Sequence, residues 1–214
     1  MAKEMVRRAA VLKLGLAILL LIGPPAGAAE PRCRIAVLGD SLTSAYGLDV
    51  AQGFPAQLQR QLDAAGYHCT VLDAGVAGDT SADGRARLDW VLGDRPNHVI
   101  VELGGNDALR ALPPAELERH LDAIITRLQG KGIKVLLAGM LAPPNLGADY
   151  GQAFAAVYPR LAARHDVPLY RFFLDGVAGH PELTQADGIH PTAAGIALIV
   201  RRILPTVESW LDRG

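Results

Sequence analysis

The sequence predicts a single α/β domain, a three-layer α/β/α sandwich built on a parallel sheet of about five strands. Three observations lead there. Short apolar runs alternate with longer amphipathic stretches, and no linker, repeat or low-complexity segment divides the chain after its first residues. Half of the 214 residues are hydrophobic and a fifth are charged, the balance of a globular domain with a sizeable core. Strands that alternate with helices of roughly 10–15 residues form parallel βαβ units, and such sheets are covered on both faces.

The elements follow in order. Residues 34–38 are a first strand, rich in branched side chains and stopped by Gly39. Residues 54–65 form a helix with Leu58 and Leu62 four apart, closed by Gly66. Residues 69–74 are the second strand, and 81–91 a helix capped by Asp79, Thr80 or Ser81. Residues 98–103 are the third strand. A long helix over 114–128 places Leu117, Leu121, Ile124, Ile125 and Leu128 on one stripe. Residues 134–138 are the fourth strand, 148–164 the next helix, and 168–172 a weak fifth strand. A terminal helix over 191–211 opens with Pro191 in its first turn.

The first residues stand apart. Arg7, Arg8 and Lys13 precede nine apolar residues (14–22), then Pro24-Pro25, then the small residues Ala26-Gly27-Ala28. That is the layout of a secretory signal peptide cleaved after Ala28, and the run is far short of the roughly 20 residues that span a bilayer. The expected product is a mature domain of residues 29–214, periplasmic or secreted, with no stable membrane span. Cleavage would leave 17 basic and 21 acidic side chains, a net charge of about −4, without the basic patch of a nucleic-acid binder. An exported chain can form a disulfide. Cys33 and Cys69 open the first and second strands, so adjacent parallel strands would set them at one end of the sheet. The residues leave open a bridge or two free thiols.

Ligands of open α/β sheets bind beyond the carboxyl ends of the strands. Four polar clusters lie there: Gly39-Asp40-Ser41-Leu42, Gly75 to Thr80, Gly104-Gly105-Asn106-Asp107, and Asp187-Gly188-Ile189-His190 before the last helix. Each alone reads equally as a turn. Together they hold a nucleophile (Ser41), a base (His190) and an orienting carboxylate (Asp187) three residues from that base. Oxyanion donors are the Ser41 and Gly78 N–H groups and the Asn106 amide. Asp40 is either a second carboxylate of the site or, preferred here, the residue that holds the nucleophile turn; Asp107 is equally ambiguous.

The four ordered blocks, spanning essentially the whole mature chain, resemble the SGNH, or GDSL, hydrolase family, whose fold is flavodoxin-like. The resemblance assigns Ser41 as nucleophile, Gly78 and Asn106 to the oxyanion hole, and Asp187 and His190 to the Asp-x-x-His block. Within that family Val101 to Asp107, Gly78 to Ser81 and Ala142 to Gly147 are similar to the bacterial periplasmic arylesterase and multifunctional thioesterase–lysophospholipase group. Leu146 stands where several members of the group carry tyrosine, in a loop that lies beside the acyl site. The implied activity is hydrolysis of a small or lipid-like acyl ester or thioester, without a cofactor or metal. Leu109, Leu141, Leu146 and Tyr150 are candidates for an acyl pocket, against the ordinary alternative of packing.

Other readings are sharper or blander. Asp40, Asp79, Asn106 and His190 are ligand types of a metallophosphoesterase, but the further histidines of a two-metal clamp are missing. A carbohydrate acetylesterase or a non-catalytic binding domain could share the fold. His68, His98, His120, His165 and His180 lack metal-ligand spacing and are expected to be structural or solvated. Trp90 is expected to pack, and Trp210 is a candidate for an exposed aromatic.

Overall fold

The computed structural model describes residues 33–213, so the signal-peptide segment lies outside the described residues. Five strands form one parallel sheet: β1 (Cys33–Gly39), β2 (Cys69–Gly75), β3 (His98–Glu102), β4 (Lys134–Ala138) and β5 (Leu169–Tyr170). Their order is β2-β1-β3-β4-β5, the doubly wound order of flavodoxin-like folds. Every residue of β3 is buried, and the apolar centre of β1 with it, as expected of strands covered on both faces.

Eight α-helices surround the sheet among the described residues: α1 (Phe54–Ala64), α2 (Ser81–Ala86), α3 (Leu88–Gly93), α4 (Gly105–Leu109), α5 (Pro114–Gln129), α6 (Ala148–Ala155), α7 (Val157–His165) and α8 (Ala193–Asp212). One layer pairs α1 with α8; the other groups α5 with α2, α6 and α7. The predicted stripe of α5 is buried along its whole length, from Leu117 to Leu128.

Three predicted elements differ. The helix expected over 81–91 is two helices meeting at Arg87, whose guanidinium turns back to donate to Asp79 Oδ2 at 2.5 Å and to Gly39 O at 2.9 Å. The break re-aims α3: Leu88 and Val91 face the core, and Trp90, expected to pack, is 60% exposed. The helix expected over 148–164 divides at Ala156, because Pro159 has no N–H to donate to the carbonyl of Ala155. The terminal helix starts later than expected. Thr192 is its N-cap, its hydroxyl accepting from Gly195 N at 3.2 Å, while Pro191, expected in the first turn, lies ahead of the helix and bridges to Thr184. Near the end of that helix Trp210 is 4% exposed, packed edge-on against His98, opposite to the expectation of exposure.

At the amino edge of the sheet Cys33 pairs in register with Cys69. Their Cα atoms are 4.4 Å apart and a disulfide joins them, closing a sequence separation of 36.

Candidate active site

The first crossover carries the chain from β1 to β2 on one side, and the next returns past β1 to β3 on the other. That reversal opens a crevice at the carboxyl ends of β1 and β3, the position where doubly wound sheets bind ligands. The loops after both strands meet in it.

After β1 the chain turns sharply. Thr43 N and Ser44 N both donate to Asp40 O, and Leu42 N donates to Asp40 Oδ1 at 2.9 Å. An aspartate that holds its own turn in this way presents the next side chain, Ser41, outward. Gly39 admits no substitute here, since a Cβ would crowd the Thr43 side chain and stand 3.0 Å from Glu102 O.

Ser41 Oγ is 2.9 Å from His190 Nε2, and His190 Nδ1 is 2.6 Å from Asp187 Oδ2. With Nδ1–H directed to the carboxylate, Nε2 is left as the acceptor facing the serine hydroxyl. Asp187 Oδ1 accepts from Ile189 N at 2.9 Å and His190 N at 3.0 Å. The His190 ring, helped by those two backbone N–H groups, holds the Asp187 carboxyl down at about 2. The loop that carries both residues is thus shaped by the carboxylate that serves the histidine.

Asn106 lies in the first turn of α4. Its Nδ2 donates to Asp40 Oδ2 at 3.1 Å and to Asp79 O at 3.0 Å, so both amide N–H groups are engaged in this structure. This amide, expected to be an open donor, here ties the nucleophile turn to the loop after β2. Gly78, at φ +88°, lies in that loop with its carbonyl accepting from Arg110 at 2.8 Å, and it is not among the residues lining the cleft. Asp107 is buried and structural: its carboxylate accepts from Ser81 N at 2.8 Å and Ser81 Oγ at 2.5 Å, locking α4 to the start of α2.

Two further carboxyls lie under the nucleophile. Burial pushes the Asp40 carboxyl up to about 6, against the Leu42 N–H, the Asn106 amide and the nearby His190, which favour its charged form. Glu102, at the end of β3, is 0% exposed. Among the described residues its oxygens make no hydrogen bond of good geometry, and the Asp40 N–H offsets its burial only in part. Burial first, then the Asp40 charge, raise it well above the usual carboxylate range. Nothing in the sequence singles out Glu102 beyond a charged residue ending an apolar strand.

Ser41, Asn106 and His190 open into a cleft of about 500 Å³ whose wall is mostly apolar. Leu109 and Leu141, two of the acyl-pocket candidates, line it together with Met140, Phe172, Leu174 and Ile189, which no sequence pattern marks out. Leu146 and Tyr150 are outside this lining. Tyr150 packs instead, stacking on Phe154 and donating its hydroxyl to Leu112 O at 2.7 Å. Among the described residues no three His, Cys, Asp or Glu side chains are grouped to hold a metal ion. His98 is buried beside Trp210, and His165 pairs with Asp122 at 2.8 Å.

A serine, an imidazole and a carboxylate lie in line at the switch point of this doubly wound sheet, an arrangement that serves nucleophilic hydrolysis on several unrelated folds. Residues 37–198 match the GDSL-like Lipase/Acylhydrolase family, and the chain is a member of it. It is 44% identical over 176 residues to Esterase TesA of Pseudomonas aeruginosa, covering 82% of this chain and 88% of that one. Over 178 residues it is 36% identical to Thioesterase 1/protease 1/lysophospholipase L1 of Escherichia coli K12, covering 83% of this chain and 80% of that one. Among solved structures, psychrotrophic esterase EstA from Pseudoalteromonas sp., inhibited by monoethylphosphonate, superposes with a TM-score of 0.80 at 32% identity, covering 84% of this chain and 98% of that one.

Proposed function

We propose that the chain is an exported serine esterase, cleaving carboxylic esters or thioesters through an acyl-enzyme on Ser41. The observation that carries this reading is the unbroken line from Ser41 Oγ to His190 to Asp187, at 2.9 and 2.6 Å, opening on an apolar cleft. Ser41 Oγ attacks the acyl carbonyl as its proton passes to His190 Nε2. Asp187 fixes the tautomer and stabilises the imidazolium, which then protonates the leaving alcohol or thiol. Water, deprotonated by the same imidazole, releases the acid. Negative charge on the carbonyl oxygen is received by the Ser41 N–H and by Asn106, both on the cleft wall; the Gly78 N–H, outside that wall in this structure, joins them only if the loop after β2 moves toward the bound substrate. The amide of Asn106 exchanges its bond to Asp79 O for one to the oxyanion, and a charged acceptor is the stronger of the two.

The apolar wall suits an acyl or aryl group better than a sugar ring, so acyl esters, acyl thioesters and lysophospholipids rank ahead of acetylated carbohydrates. The names of the relatives, esterase, thioesterase and lysophospholipase, point the same way. A fluorophosphonate probe tests the chemistry: folded protein is expected to be labelled at Ser41, and Ser41→Ala to be silent. Labelling that persists in Ser41→Ala, or none in the wild type, overturns the reading. Values of kcat/KM across p-nitrophenyl esters of rising chain length, an acyl-CoA, a lysophospholipid and an acetylated sugar rank the substrates.

Export rests on residues 1–28 and on the Cys33–Cys69 disulfide, which suits an oxidising compartment. No helix among the described residues is long and apolar enough to cross a membrane. We propose that the mature periplasmic or secreted protein is one domain beginning at Ala29. Intact mass of the exported form is expected to match residues 29–214, and retention of residues 1–28 would overturn cleavage.

A further inference from the structure

Two residues outside the proposed relay meet at its histidine. The Tyr46 ring lies against the His190 imidazole, with centroids 4.3 Å apart and planes inclined by 33°. Tyr46 is 50% exposed, so core packing does not account for its place. The backbone is bent to put it there, for the preceding Ala45 has φ +57°, a conformation that side-chain-bearing residues seldom adopt.

Gln185 holds this arrangement from the other side. Its Nε2 donates to Tyr46 O at 2.9 Å and to Pro191 O at 3.0 Å, and its backbone N donates to His190 O at 2.7 Å. One glutamine therefore ties the loop after β1 to the backbone of the histidine and of the residue that follows it, across 139 residues of sequence. Of the imidazole's own hydrogen bonds, that to Asp187 fixes one edge and that to Ser41 the other. Neither restrains tilt of the ring out of its plane. A flat aromatic group on one face does.

We infer that Tyr46, anchored by Gln185, is a positioning residue of the hydrolytic reaction, keeping His190 Nε2 aimed at Ser41 and stabilising the imidazolium formed in the transition state. The second effect is electrostatic: the negative face of an aromatic ring attracts a cation, and His190 is a cation only while it holds the serine proton. The contact is therefore stronger in the transition state than in the resting enzyme, and it raises kcat without tightening substrate binding. The inference rests on the reading of His190 as the general base.

The experiment compares kcat, KM and thermal midpoint for wild type, Tyr46→Phe, Tyr46→Leu, Gln185→Leu and His190→Ala on p-nitrophenyl butyrate. Tyr46→Phe keeps the ring and is expected to stay within about twofold of wild-type kcat. Tyr46→Leu is expected to lose about tenfold in kcat, the scale of one cation–π contact, with KM and thermal midpoint little changed. Gln185→Leu frees the anchor but leaves the ring, and is expected to lose less in the same direction. Wild-type kcat in both Leu variants overturns the inference. So does an equal loss in Tyr46→Phe, which would assign the effect to the hydroxyl, or a rise in KM at constant kcat, which would make Tyr46 a substrate contact. If Tyr46→Leu does not fold, Gln185→Leu alone decides. Full activity in His190→Ala would instead sink the underlying base assignment, whatever the Tyr46 variants do.

Discussion

Glu102 and Asp187 are carboxyls with opposite pH behaviour. The folded protein holds the Glu102 proton to higher pH than the unfolded chain does, because ionising it would place a charge in a fully buried site beside Asp40. In the unfolded chain it ionises in the usual range, so its stabilising contribution is full below that range and is lost as pH rises toward its raised folded value. Asp40 acts in the same sense up to about 6. Asp187, held at about 2, contributes stability above the ordinary carboxylate range and loses it as pH falls toward 2. Glu102→Gln removes one titration, and its stability is expected to fall less between pH 5 and pH 8 than that of the wild type. Thermal unfolding at both pH values checks this; equal slopes would mean that Glu102 is charged in the fold. A second expectation concerns Asn106→Ala, which should lower kcat by roughly 10²–10³ with a smaller change in KM, the cost of one oxyanion donor. Steady-state kinetics decide it, and full kcat would remove Asn106 from the hole. At this scale the sequence exposes residue types and not their partners. Ser41, Asn106, Asp187 and His190 stand out as candidates because three blocks follow strands and the fourth precedes the last helix, and the fold brings Ser41, His190 and Asp187 within hydrogen-bond distance. The Asp40–Asn106 bond joins residues 66 apart, and no local pattern announces it.

Among the elements, those with one strong signal were the readable ones. The strand over Lys134–Ala138 has the predicted bounds, and the helix from Pro114 gains a single residue. Pro159 marks the division between α6 and α7 in the sequence itself, since a proline inside a helical run removes a bond one turn back. The break at Arg87 is different in kind. It is made by hydrogen bonds to Asp79 and Gly39, which belong to loops brought near only by the sheet. The disulfide can be tested as an element of its own. Replacing Cys33 and Cys69 by alanine releases a constraint over 36 residues, and loop-closure entropy places the loss at about 4 kcal/mol. Denaturant unfolding is expected to show that loss while kcat at 25 °C stays within about twofold. The bridge ties the amino ends of β1 and β2, and Ser41 follows the carboxyl end of β1.

For the whole molecule, alternation of strand and helix makes the parallel sheet legible, whereas the order of its strands depends on which way each crossover turns. That order brings β1 beside β3 and so Ser41 near Asn106, a proximity the alternation alone leaves open. A serine mechanism also predicts indifference to metal removal. EDTA at millimolar concentration is expected to leave ester hydrolysis unchanged, and loss of activity restored by a divalent cation would favour the metal-dependent alternative.

Ser41 and His190 stand 149 residues apart along the chain and 2.9 Å apart in space. A growing polypeptide therefore presents its serine early and its histidine near the end. Among the described residues the five strands are complete by Tyr170, so a chain interrupted before Asp187 holds each of them and still lacks the proposed base. Assembly of the proposed relay therefore depends on a contact made late in the chain as well as on the sheet itself.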